Sequence, residues 1–129
     1  MRSQLLPLLL LMVAMSSPWA RAQTGQSPSL PLGAGRPEVA GIARTPIRDD
    51  AKATVTRVRF EPNAAEPPHT HPTDVIIVAV MAGAVDFRIG DTRITSLVPG
   101  QVQFVPREVT HHLKNTGLGP LELIAISLK

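Results

Sequence analysis

The chain has 129 residues, room for one domain, with 13 Lys and Arg against 10 Asp and Glu. It has no cysteine, which excludes disulfides, thiolate metal sites, thiol nucleophiles and a lipid anchor on an N-terminal cysteine. It has no tyrosine either, a single tryptophan at position 19 and only Phe60, Phe87 and Phe104 besides, so no large aromatic platform for stacking bases or sugars can be built.

Residues 1–22 read as a secretion signal. Arg2 supplies the charged start, Leu5 to Met15 an apolar run broken only by Pro7, and Ala20-Arg21-Ala22 a small-x-small cleavage site before Gln23. The run is too short for a membrane anchor, which needs about 20 apolar residues. Removing residues 1–22 from 129 leaves 107. Arg2 and Arg21 leave with the signal, so 11 basic residues face 10 acidic ones and the mature charge is about +1. The remaining basic residues are scattered apart from Arg57 and Arg59, a pattern without affinity for nucleic acid or a membrane surface. The expected location is periplasmic or secreted.

Residues 23–50 carry Pro28, Pro31, Pro37 and Pro46 with Gly33, Gly35 and Gly41 between them, and no apolar period; they read as a flexible leader, ordered at most near its end. Residues 51–129 form the folded domain. Thr54, Thr56, Val58 and Phe60 share one face of a strand, Arg57 and Arg59 the other. Val75 to Met81 is apolar on both faces, as a covered central strand is. Val85, Phe87 and Ile89 alternate with Asp86 and Arg88, and Gly90-Asp91 reads as a two-residue hairpin turn into Thr92 to Leu97. Val102 and Phe104 share a face before Pro106. In the next strand Val109, His111, Leu113 and Asn115 share one face, and Thr110, His112 and Lys114 the other. A turn cluster at residues 115–120 precedes the last strand, Leu121 to Leu128. Seven short strands with no helical period predict an all-β sandwich or barrel. The two strands apolar on both sides, at residues 75–81 and 121–128, are expected to cover each other or to be covered by a second subunit, which makes a homodimer a further expectation.

All four histidines lie in two short segments. His69 and His71 stand two residues apart, which on an extended chain sends both side chains to one face. His111 falls on the apolar face of its strand, where an imidazole needs a partner. A shared divalent metal is the simplest partner for all three. His112 points the other way and reads as solvated or as a support behind a metal ligand, and a one-residue register slip would exchange it with His111.

The stretch from Asn63 to Gly83 and the stretch from Gly100 to Gly117 resemble the two motifs of the cupin superfamily, in its small single-domain form. His69-Thr70-His71 and Gly83 match the first motif. Pro106, His111 and Asn115 match the second, inside V-P-R-E-V-T-H-H-L-K-N-T-G. The resemblance implies a cupin-type antiparallel β-barrel, jelly-roll-like, with a metal held by His69, His71 and His111. The sequence departs from the family in two places. The family's metal-binding glutamate would fall at Val75 or Ile76, neither of which can ligate, and the glycine that opens the first motif is Asn63. Asp74 is the nearest carboxylate to the missing position but lies one pleat too early; Glu61, Glu66 and Gln103 are weaker candidates. Asn115 is expected to make strand-end hydrogen bonds.

Imidazole ligands suit Zn, Cu, Fe or Ni, the ligand set does not distinguish Fe, Zn, Mn, Ni or Cu, and three neutral ligands leave the full dipositive charge on the ion. The resemblance implies, as one expectation, an Fe-dependent oxidoreductase of the cupin dioxygenase type acting on a small-molecule substrate. The alternative is a non-catalytic metal or small-molecule binding module; a third reading is a cupin without metal, its histidines hydrogen-bonded to Asn115 and its neighbours. No acid or base is evident beside the histidines.

Overall fold

The structure, a computed structural model, describes residues 38–129. The signal expected over residues 1–22, and the first part of the leader, lie outside the described residues. Among the described residues the chain forms nine strands and no helix. They are β1 (Ile42–Asp49), β2 (Ala53–Phe60), β3 (Ala65–His69), β4 (Val75–Ala79), β5 (Gly83–Ile89), β6 (Thr92–Leu97), β7 (Val102–Val105), β8 (His111–Asn115) and β9 (Leu121–Leu128). They make two antiparallel sheets, one in the order β1-β2-β9-β4-β7 and one in the order β3-β8-β5-β6. The all-β expectation holds.

The period-two alternation read from the sequence sets the interior. Val58, Phe60, Val75, Ile77, Leu121 and Leu123 of the first sheet meet Val85, Phe87, Leu97 and Leu113 of the second in one buried cluster. Each large side chain fully buried there contributes about 1.5–3 kcal/mol of hydrophobic stabilisation. Gly90 and Asp91 form the two-residue loop between Ile89 and Thr92, which pair. Gly90 has φ +55°, as the first loop residue of a type II′ turn requires.

Two strands were not foreseen. The first is β1, which lies within the stretch read as a leader. It pairs with β2 along its length, with a bulge between Pro46 and Arg48. Proline masked it in the sequence, yet β1 is the outermost strand of its sheet, where a missing N–H costs no ladder bond. The second is β3, which contains Pro67 and Pro68 and is likewise an edge strand.

The strands at residues 75–79 and 121–128 do not cover each other. They are hydrogen-bonded neighbours, with Ile76 opposite Ile126 and Val78 opposite Ile124. Their second apolar faces therefore lie side by side on the outside of the five-stranded sheet. The row continues to Phe104 and Val102 of β7, which are 53% and 57% exposed. Val102 and Phe104 do share a face, but it is this outer one; Val105 is the buried residue of β7.

Candidate metal centre

His69 closes β3 and His111 opens β8, and the two are direct cross-strand partners. His71 follows two residues after the end of β3. The three rings stack into one cluster, with centroids 4.9 Å apart for His69 and His71, 4.2 Å for His69 and His111, and 4.9 Å for His71 and His111. One nitrogen from each lies within 4.8 Å of the other two, so the three could hold a metal ion. His111 is buried, as its place on the apolar face of its strand required, and His69 and His71 are half-buried.

Hydrogen bonds assign the tautomers of His69 and His111. The Nδ1 of His69 lies 2.7 Å from the carbonyl oxygen of Pro67, and the Nδ1 of His111 lies 3.1 Å from that of Val109. A carbonyl only accepts, so each Nδ1 carries the proton and donates it. In the neutral ring this leaves the lone pair on Nε2, the atom a metal takes. The Nε2 of His69 is, among the described residues, the only buried side-chain nitrogen or oxygen without a hydrogen-bond partner. An unsatisfied buried imidazole nitrogen costs free energy, and an ion shared with the two adjacent rings would remove that cost. The residues present therefore fit a metal.

The loop before β8 is fastened to the segment after β3. The backbone N–H of Glu108 donates to the carbonyl of His71 at 2.8 Å, and Glu108 adopts the left-handed φ of 60° to do so. The Arg107 backbone N–H donates to Asp74 Oδ1 at 2.8 Å, and its guanidinium reaches the same carboxylate at 3.4 Å. Asp74 is therefore committed to Arg107 and lies outside the three-histidine group. The N–H of Arg107, then its guanidinium, hold the Asp74 carboxyl below the usual carboxylate range.

Asn115 ends β8 fully buried. Its Nδ2 donates to the carbonyls of Phe60 at 3.1 Å and Gly119 at 2.8 Å, and its Oδ1 accepts from Gly117 N at 3.0 Å. These are the strand-end bonds expected of it. Asn63, in place of the family's glycine, has φ +66°, a left-handed turn that asparagine tolerates better than most side chains. His112 sits on the opposite face of β8, its Nε2 3.9 Å from Asp86.

A carboxylate does stand beside the histidines, and it is Glu66. Its Oε1 lies 3.9 Å from the Nε2 of His69 and accepts from Arg44 Nη2 at 2.6 Å. Residues three apart on a regular strand face opposite ways. Here β3 carries one extra residue between Glu66, which pairs with Leu113, and His69, which pairs with His111. That bulge, at Pro67-Pro68, reverses the parity and turns Glu66 inward with His69. The Pro-Pro dipeptide was the available signal. Arg44 comes from β1, where its partner across the ladder is the buried Val58. Arg44, Glu66, His71 and His111 together line a cavity of about 200 Å³ between the sheets. The rest of its wall is mostly apolar, including Val58, Phe60, Phe87, Leu113 and Leu123.

Comparison with known proteins identifies the fold. The model of the family described as "Cupin domain" matches residues 56–127. Nectarin-1 of Nicotiana langsdorffii x Nicotiana sanderae is 29% identical over 90 residues, covering 67% of this chain and 39% of its own length. Germin-like protein 1-1 of Oryza sativa subsp. japonica is 30% identical over 76 residues, covering 56% and 35%. The chain thus spans well under half the length of these relatives. Solved structures share the fold. A cupin domain from Bordetella pertussis superposes with TM-score 0.61 at 23% identity, over 73% of this chain and 99% of that one. The polyketide cyclase RemF from Streptomyces resistomycificus superposes with TM-score 0.63 at 17% identity, over 73% and 69%. With the family model spanning more than half of the chain and both histidine segments, this protein belongs to the cupin family.

Proposed function

We propose that the protein binds one divalent transition metal through His69, His71 and His111 and uses it on a small molecule held in the barrel cavity, as an oxidoreductase of the cupin dioxygenase type. The observation that carries this reading is the buried Nε2 of His69, which has no hydrogen-bond partner, beside two further imidazoles. A metal held there would supply Lewis-acid polarisation and open coordination positions for substrate. The chain's own groups do the rest. The carbonyls of Pro67 and Val109 lock the ring tautomers. Glu66, only a weak candidate in the sequence, supplies an acceptor for a substrate proton once the bulge of β3 turns it inward. Phe60, Phe87 and Leu113 keep the cavity wall apolar, which strengthens every polar contact inside it.

The test begins with metal analysis of protein purified without a histidine tag. About one ion per chain is expected, lost in His71→Ala and retained in His112→Ala, whose ring faces Asp86. Metal-free wild type after reconstitution with Fe(II), Zn(II) and Mn(II) in turn would end the proposal. Oxygen uptake by the Fe(II)-loaded protein across a panel of small acids and diketones then tests the reaction. One observation favours the non-catalytic binding module instead: the position of the family's glutamate falls at Val75 or Ile76, neither of which can ligate. Saturable ligand binding with no oxygen uptake would decide for that module.

Two further readings from the sequence belong with this proposal. Residues 1–22 act as an export signal; amino-terminal sequencing of the periplasmic protein should begin at Gln23, and an intact Met1 in the mature fraction would refute it. The outer apolar row through Ile126, Ile76 and Phe104 is the face on which a second copy packs. Sedimentation should give a dimer that Phe104→Glu dissociates; a wild-type monomer at micromolar concentration would refute it.

A further inference from the structure

The cavity beside the three imidazoles also holds a guanidinium, and nothing in a three-histidine metal site calls for one. Arg44 sits on the edge strand β1, where a long cationic side chain could have turned to water. Instead its place opposite Val58 sends it between the sheets, and its side chain is only 16% exposed. Drawing a guanidinium out of water is costly unless it has work to do there.

We propose that the cavity takes a small carboxylic acid with a short apolar body, and that Arg44 is the specificity-determining residue that holds the carboxylate. The inference rests on the metal reading above for the other end of the ligand. Three features support it. First, Arg44 gives one N–H to Glu66. A guanidinium carries five donors in a planar fork, so several remain for a second carboxylate. Second, Arg44 and Glu66 are the only charged side chains in the wall apart from the histidines, and they cancel. Imidazoles that ligate a metal are neutral, so a bound dication would make the cavity net positive and select an anion. Third, the remaining wall is aliphatic and phenyl, relieved only by the hydroxyls of Thr54, Thr56 and Ser127. That lining suits a hydrocarbon body and offers too few partners for a sugar.

Arg44–Glu66 also bridges the two sheets, from β1 to β3, so the experiment must separate a clasp from a recognition group. Protein loaded with redox-inert Zn(II) is titrated calorimetrically with 4-methyl-2-oxopentanoate and with the uncharged 4-methyl-2-pentanone. Wild type, Arg44→Gln and Arg44→Lys are compared, with zinc content and melting temperature recorded for each. Wild type should bind the acid and not the ketone. Arg44→Gln should weaken the acid by about tenfold or more with zinc content unchanged, and Arg44→Lys should recover part of the loss. Equal affinity in wild type and Arg44→Gln, equal binding of acid and ketone, or a fall in melting temperature with affinity retained would each overturn the proposal. If zinc fails to bind at all, the metal reading fails separately. Metal-free protein then carries the same comparison, and Arg44-dependent binding of the acid still supports the role of Arg44.

Discussion

The backbone N–H of Arg107 reaches across 33 positions of chain to donate to the carboxylate of Asp74 at 2.8 Å. With the bond from Glu108 to the carbonyl of His71, it joins the loop that delivers His111 to the segment that delivers His71. Convergence of the histidines is thus held by bonds that involve no imidazole nitrogen.

That tie has a pH dependence. The folded carboxyl of Asp74 lies below its ordinary value of 3.8, chiefly through the N–H of Arg107. A group depressed in this way adds stability above its unfolded pKa, and the stability is lost as pH falls through the folded value. Asp49, Asp50 and Asp86 are lowered as well, by Lys129, by the N–H of Lys52 and by Arg93 respectively, and act in the same direction. Melting temperature should therefore fall between about pH 5 and pH 3. Asp74→Asn should melt lower than wild type at pH 7, and the gap should narrow toward pH 3. A constant gap across that range would show that the Asp74 carboxylate is not linked to folding.

Asn115 serves three backbone groups at once. Its replacement leaves the carbonyls of Phe60 and Gly119 and the N–H of Gly117 to find other partners. Asn115→Ala should cost about 2–4 kcal/mol in urea denaturation, since each orphaned buried group costs about 1–3 kcal/mol and some will find water. A cost under about 0.5 kcal/mol would mean that the turn after β8 holds without it.

Phe87 is fully buried and forms part of the cavity wall. Phe87→Ala should destabilise the fold by about 3–5 kcal/mol while enlarging the cavity, and Phe87→Leu by much less. If Phe87 shapes the ligand space as well as the core, the folded Phe87→Leu protein should accept a bulkier apolar body in the acid titration. Unchanged preference among acids of different bulk would assign Phe87 to packing alone.

Much of the candidate site was legible along the chain, because strand periodicity decides which way a side chain points. His69 and His71 stand two apart, and His111 alternates with Val109, Leu113 and Asn115; both patterns survive in the fold. The edge strands were not legible. Pro46 in β1 and Pro67-Pro68 in β3 read as breakers, and only their place at the margins of the two sheets makes them tolerable. Nor could alternation say whether Val102 and Phe104 face the core or the outside, since an apolar residue on an outer face looks the same in sequence.

The sequence by itself determined the all-β class and the inward histidines, both properties of residue type and period within one strand, and its resemblance to the cupins marked the family's glutamate as absent. The tertiary structure alone decided that Arg44 and Glu66 join the site. Glu66 faces inward only because a bulge breaks the alternation of β3, and Arg44 meets it only because the margins of two sheets close on each other. Such contacts depend on register and on the approach of distant strands, which local alternation does not encode.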